Sequence, residues 1–375
     1  MTSLEIAQQL VRLPSVNPLH DPNSAGEGAV VDWLENWGQS HELQTLREPA
    51  LPGRDNISFT INNGAGPHLL LNGHTDTVSV AGMCIEPFSG EVREGRLWGR
   101  GATDMKGPLA CMLAALLELR TRKDWSGTVT VGCVVDEETE FQGIVHFIKD
   151  HEPWDFAVVG EPTNLRVVRG CKGCLRTVMR VQGRAAHSSD PQQGRNAIVG
   201  MAPVLEAVQA FFDDEISRFT REGFSPCTGS VGLIEGGTAV NIVPDTCAAT
   251  FDIRTVPGQD TAATLTALEN FVRERVGERD GYELIFDPPY HDSPNFETPA
   301  GHPLVQTACE LRDQPEADTV AFGCDGSKLA AVGIPTIILG PGNIAQAHTK
   351  DEFIALTDLE SGTEAYVDLT RALLK

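Results

Sequence analysis

The sequence predicts an α/β protein: a mostly parallel sheet with helices on both faces, into which a domain of βαββαβ order is inserted. Three observations predict it. Short apolar and β-branched runs alternate with helical segments through the first 170 residues. The order of elements changes between about residues 173 and 287. The alternation then resumes in a chain of 375 residues. That length, with 41% hydrophobic residues, suits two domains and a sizeable core. The expected division is a discontinuous domain of residues 1–172 and 288–375 around an inserted domain of residues 173–287.

The elements follow in order. MTSLEIAQQLVRLPSV reads as an amphipathic helix rather than a secretion signal. HLLLNGHTDTV is an apolar strand ending in a polar turn, and GPLACMLAALLELR is a helix after the turn at Asp104. TVTVGCVVDEE and DFAVVGEPT are two more strands. In the insertion, GCLRTVMRVQG is a strand and GRNAIVGMAPVLEAVQAFFDD a helix. SPCTGSVGLIEGG and AVNIVPDTCAATFDIRTV are strands joined by a Gly-Gly turn, followed by the helix TAATLTALENFVRERV and the strand YELIFDP. This is the order of a ferredoxin-like sandwich. After it come the helix PLVQTACELR, the strand and helix of TVAFGCDGSKLAAVG, and the strand PTIILGPG.

Charge and cysteines exclude several function classes. A net charge of −23 repels nucleic acid, and no basic cluster offsets it. The acidity reads as solubility or adaptation to a salty cytoplasm; attraction of a cationic substrate is the sharper alternative. No run of eighteen apolar residues occurs, so no membrane span is expected. Nine scattered cysteines suit reduced thiols in a cytoplasm better than a disulfide framework. Cys171 and Cys174 have C-x-x-C spacing, but no second pair follows.

Five residues of metal-binding type each stand where a predicted strand runs into a turn: His74, Asp104, Glu138, Glu161 and His348. Two imidazoles and three carboxylates can hold two ions if one carboxylate bridges. Such mixed ligation suits zinc or cobalt and leaves positions open for water and substrate. Two metals about 3.5–4 Å apart make a hydrolytic centre. In α/β sheets, ligands gather at the carboxyl ends of strands, where His74, Glu138 and Glu161 lie. The fifth, His348, follows the insertion, which argues for one discontinuous catalytic domain with a lid.

Hydrolysis of this kind needs a carboxylate to take a proton from water. Asp136, Glu137 and Glu138 are consecutive, and any of them can be ligand or base; alone, the run also reads as a solvated acidic turn. Asp76 lies two residues beyond His74, on the same side of an extended segment. It either holds the far imidazole nitrogen or caps a loop. In the insertion, His187 could donate to an oxyanion, and Asn241 and Arg254 could bind a substrate carboxylate. Each has a purely structural alternative.

GHTDTV, GRGATDMKG, DEE and the late Ala347-His348 occur in the order and at the separations of a known family. The chain resembles the di-zinc amidohydrolases that include acetylornithine deacetylase, succinyl-diaminopimelate desuccinylase, aminoacylase and carboxypeptidase G2. The resemblance spans nearly the whole chain and implies a zinc-exopeptidase-like fold. By that resemblance His74 and Glu161 hold one zinc (or cobalt) ion, Glu138 and His348 the other, and Asp104 bridges. Glu137 is then the general base and Asp76 orients His74. His187, Asn241 and Arg254 correspond to lid residues that meet substrate, with His187 serving the partner subunit of a homodimer joined through its lids. The Asp104–Met105 peptide is expected to be cis. GPGNIAQAHTKDEF is most similar to the segment of acetylornithine deacetylases. The expected activity is therefore cleavage of an N-acyl amino acid, first of all N-acetylornithine to ornithine and acetate, in the cytoplasm. Desuccinylation and dipeptide cleavage are the enzymatic alternatives. An inactive metal-binding scaffold and an acidic protein-binding module are the others.

Overall fold

The apolar runs become strands whose alternate residues face two different helix layers. In the computed structural model, which describes residues 1–151, 153–278 and 281–375, the main strands of the two larger sheets are β1 (Gln44–Leu51), β2 (Arg54–Asn62), β3 (His68–His74), β4 (Thr128–Val134), β5 (Phe156–Val159), β6 (Val168–Cys171), β7 (Cys174–Gln182), β8 (Thr228–Gly236), β9 (Thr246–Arg254), β10 (Glu283–Phe286), β11 (Phe296–Glu297), β12 (Asp318–Val320) and β13 (Thr336–Ile338). The helices are α1 (Ser3–Arg12), α2 (Gly28–Ser40), α3 (Lys106–Thr121), α4 (Gln142–Asp150), α5 (Ala197–Asp214), α6 (Thr261–Val276), α7 (Pro303–Leu311), α8 (Gly326–Ala331) and α9 (Leu356–Leu373).

The chain divides into two compact units. The first comprises Met1–Gly170, Glu297–Asp318 and Cys324–Lys375. Its sheet runs β1-β2-β4-β3-β5-β13-β6-β11. The central β4, β3, β5 and β13 are parallel. The hairpin β1–β2 joins β4 antiparallel. Along β3 the pleat sends Leu69 and Leu71 into the larger core, with Met105 and Leu109. Gly73, on the same side, has Met105 Cε so close that a Cβ would lie 2.8 Å from it. Leu70 and Asn72 point the other way. Asn72 reaches Asp325, at the start of α8. Gly132 of β4, against which Leu70 packs, meets Phe147 of α4. The sheet is therefore covered on both faces, as parallel sheets require. α1 begins with a capping box between Thr2 and Glu5 and buries Ile6, Ala7, Leu10 and Val11.

The second unit comprises Cys171–Phe296 and Thr319–Gly323. Its elements come in the order β7, α5, β8, β9, α6, β10, and its sheet runs β8-β9-β7-β10, all antiparallel, with the short strand His291–Ser293 also paired to β7. The strands alternate buried and part-exposed residues. Met179, Val181, Ala249, Phe251 and Ile253 form a core with Val204, Val208 and Phe211 of α5 and Leu268 and Val272 of α6. Asn196 and Asp260 cap the two helices.

Candidate metal centre

Three strand ends and two loops of the first unit bring four carboxylates and two imidazoles together. β3 ends at His74, next to Gly73 with its close approach to Met105. β4 ends just before Asp136, Glu137 and Glu138, and β5 ends two residues before Glu161. Asp104 lies in the loop before α3, where Gly101 has φ +81 and Lys106 and Thr77 crowd the place of a Cβ. The Asp104–Met105 peptide is cis, as the resemblance implies. His348 has φ +60, a left-handed conformation that costs a residue with a side chain energy and clusters at functional sites.

Asp104 occupies the middle. Its Oδ1 lies 3.1 Å from His74 Nε2 and its Oδ2 lies 3.1 Å from His348 Nε2. One carboxylate thus faces both imidazoles with different oxygens, the arrangement a bridging ligand needs. Glu138 Oε2 is 3.1 Å from His348 Nε2. Glu137 Oε2 and Glu161 Oε1 are 3.9 and 3.8 Å from His74 Nε2. Two triads emerge, His74–Asp104–Glu138 and His74–Glu137–Glu161, with ligand atoms within 4.8 Å of one another in each. Asp136 turns away, with φ +71, to pair with Arg54. The acidic run that sequence left ambiguous is thereby divided.

The far side of His74 is also held. Its Nδ1 lies 3.0 Å from the main-chain carbonyl of Asp76 and 3.5 Å from that residue's carboxylate. An Nδ1–H donated to this residue leaves Nε2 as the metal-facing atom.

Electrostatics show how much negative charge is packed here. Burial raises the pKa of Glu137 well above the carboxylate range, and Glu161 beside it raises it further. Glu161 and Glu138 are likewise pushed up by burial and then by Asp104. Burial opposes ionisation of Asp104 too, but the two imidazoles hold its pKa below the usual range. Burial disfavours charge on His74, yet Asp104 and Asp76 raise its pKa well above the usual value. His348 is raised to about 10 by hydrogen bonds to Asp104 and then Glu138.

The residues fit divalent cations. Glu161 Oε1 is buried without a hydrogen-bond partner among the described residues, an expensive state that a cation relieves. The donors are imidazole nitrogens and carboxylate oxygens, the set used by zinc and its neighbours.

Sequence reasoning missed the groups that support the centre. Glu352 is fully buried, and its Oε1 accepts from the backbone of Thr103 (2.9 Å) and Asp104 (3.0 Å). Its Oε2 accepts from Gly101 N at 3.1 Å and Arg100 Nη1 at 2.7 Å. An acid four residues after His348 was the available signal. Asn17, Arg54 and Asp325 gave none.

The other candidates lie in the second unit. Ala186–His187 pairs with Ile242–Val243, and Ser188 N donates to Asn241 O, so His187 and Asn241 share a corner. The exposed His187 ring lies 2.7 Å, at Nδ1, from Ser189 Oγ. Arg254, at the end of β9, is bonded to Asp252 through Nε (2.7 Å) and Nη2 (3.2 Å). Cys171 and Cys174 are free and buried. No helix among the described residues is long and apolar enough to cross a membrane.

Comparison with known proteins places this geometry. Residues 70–372 match peptidase family M20/M25/M40. The acetylornithine deacetylase of Proteus mirabilis is 33% identical over 97% of this chain and 94% of its own. That of Vibrio vulnificus is 33% identical over 94% and 93%. Among solved structures, an M20 metallo-carboxypeptidase of Sulfolobus solfataricus superposes with a TM-score of 0.79 at 18% identity over 99% of both chains. A dinuclear metal-binding M20 peptidase of Bacillus subtilis gives 0.72 at 14% identity over 99% and 97%.

Proposed function

The chain belongs to peptidase family M20/M25/M40 and is a metal-dependent hydrolase, and from that premise we propose that it cleaves the amide bond of an N-acyl amino acid, N-acetylornithine above others. The observation that carries the reaction class is Asp104 facing two imidazoles with Glu137 close by. The choice of substrate is supported by full-length relatives that are acetylornithine deacetylases at 31–33% identity.

His74 and Glu161 would hold one divalent ion, Glu138 and His348 a second, and Asp104 both; zinc or cobalt suits this set. When bound, such ions supply Lewis acidity toward the acyl oxygen and make water more acidic. The chain's own residues do the rest. Glu137, whose Oε2 lies 3.9 Å from His74 Nε2, is proposed as the group that moves protons. It takes one from water as the oxygen joins the acyl carbon. It returns that proton to the amine nitrogen as the C–N bond breaks, giving a carboxylate and a free amine. Asp76 keeps the His74 ring in register.

His187, Asn241 and Arg254 are proposed to meet substrate from the second unit, with His187 serving the partner of a homodimer. The dimer proposal has a surface to support it. β8 is a sheet edge whose Leu233 and Ile234 are exposed, as are Ile198 and Val199 on α5. Exposed apolar sheet edges call for a partner. A cytoplasmic setting is supported by nine free cysteines.

The test is a panel. Purified protein loaded with zinc or cobalt is assayed for amine release from N-acetylornithine, other N-acetyl amino acids, N-succinyl-diaminopimelate and dipeptides. N-acetylornithine should give the highest kcat/KM. Faster dipeptide or succinyl cleavage replaces the substrate, and no turnover on any of them overturns the N-acyl amino acid reading.

A further inference from the structure

Beneath the metal centre lies a buried polar chain that no catalytic role absorbs. It begins at Asn17, fully buried in the segment between α1 and α2. The Asn17 backbone N–H donates to Thr77 O, which straps this segment beside the His74–Asp76 turn. Its side-chain Oδ1 accepts from Leu19 N at 3.0 Å, so the amide nitrogen must point inward. There Nδ2 meets Asp76 Oδ2 at 2.8 Å, Asp136 Oδ1 at 3.1 Å and Thr139 Oγ1 at 3.1 Å. Two buried carboxylates thus share one neutral donor. Asp136 is further neutralised by Arg54 Nη1 at 2.8 Å, and Arg54 is itself held by Glu27.

What Asp76 does with its remaining lone pairs gives this chain its consequence. Oδ1 accepts from Glu137 N and Oδ2 from Glu138 N, each at 3.1 Å. Asp76 therefore fixes the peptide from which the adjacent glutamates diverge, as well as the His74 ring. Rotating its carboxylate would break both backbone bonds and change its 3.5 Å approach to His74 Nδ1. We propose that Asn17 is a positioning residue of the metal centre: by tying Asp76 to Asp136 it holds His74, Glu137 and Glu138 in their separate directions, with Arg54 as its electrostatic support. The proposal rests on reading the site as a two-metal centre.

Asn17→Asp keeps the shape of the side chain and replaces the shared donor with a third carboxylate. Asn17→Ser keeps one donor. Arg47→Met, which removes a surface cluster with Asp32, Glu35 and Asp55, serves as a control for mere destabilisation. Metal-free full-length protein is titrated with Co²⁺ alone and followed by its visible absorption, then assayed. Asn17→Asp should alter the cobalt spectrum and lower kcat by about 10–100-fold with KM little changed, the usual scale for partners of metal ligands. Asn17→Ser should recover part of that loss. Arg54→Met should follow Asn17→Asp in the same sense. Wild-type spectra and kcat per folded molecule in both Asn17 variants, with only thermal stability reduced as in Arg47→Met, overturn the proposal. A wild-type protein that takes up no cobalt overturns the metal reading itself, and this inference with it.

Discussion

Glu137 and Glu138 are neighbours in sequence with different company in space. Glu137 lies beside His74 and Glu161, and Glu138 beside His348 and Asp104. Glu137→Gln should therefore keep both metal ions, as counted by elemental analysis, and lose kcat by about 10²–10⁴-fold, the usual worth of general acid–base catalysis. Glu138→Ala should instead lower metal content. The opposite pattern exchanges the two assignments. His348 supplies a pH dependence. Asp104 and Glu138 hold it protonated, with a pKa of about 10 in the metal-free protein. A metal ion must displace that proton, so apparent affinity at this position should fall as pH falls and rise from about pH 6 to about pH 9. Calorimetry in buffers of different ionisation heat reads the released proton, and His348→Ala should abolish that part of it. The residue types of this site were legible in sequence; the division of labour within Asp136-Glu137-Glu138 was not. It depends on Arg54 and Asn17, which lie 82 and 119 residues from Asp136.

At the scale of elements, apolar runs such as His68–His74 and Thr128–Val134 announced themselves because both sheet faces are covered. The hairpin Gln44–Leu51 and Arg54–Asn62 did not: its outer strand carries Arg47, Glu48 and Pro49, the composition of a sheet edge rather than of a buried strand. The small sheet of Glu91–Arg93, Arg96–Trp98 and Phe353–Ala355 was equally silent, since three-residue strands show no period and one comes from a distant segment. That last pairing sets Glu352 against the Asp104 loop. Glu352→Gln would turn an amide donor toward a ring of donors and leave the buried Arg100 without its counter-charge. Breaking such a pair typically costs about 3–5 kcal/mol. Urea denaturation of the metal-free variant should show a loss of this order. An unchanged midpoint would mean that the loop is held by other contacts.

For the whole molecule, the decisive question is assembly. If the second unit pairs through β8 and α5, Leu233→Lys with Ile234→Glu should give a monomer by analytical ultracentrifugation, with its fold intact by circular dichroism. If His187 serves the partner, mixing His187→Ala with Glu137→Ala protein should restore activity that neither has alone. A fully active monomer, or no recovery after verified subunit exchange, returns His187 to a structural role. The inserted unit itself was legible from the order of its elements, whereas the ion pair of Arg254 with Asp252 depends on a side-chain conformation that no pattern encodes. The site also has a history written into the chain. His74, Asp104, Glu137, Glu138 and Glu161 are all made early, but His348 follows Glu138 by 210 residues. At ordinary translation rates of about 5–20 residues per second, that is a delay of roughly 10–40 s. Through that interval the growing chain carries the acids and first imidazole of the site without the second imidazole. The centre is finished only when the inserted unit has been synthesised and passed, so the order of synthesis itself postpones full activity until nearly all of the scaffold exists.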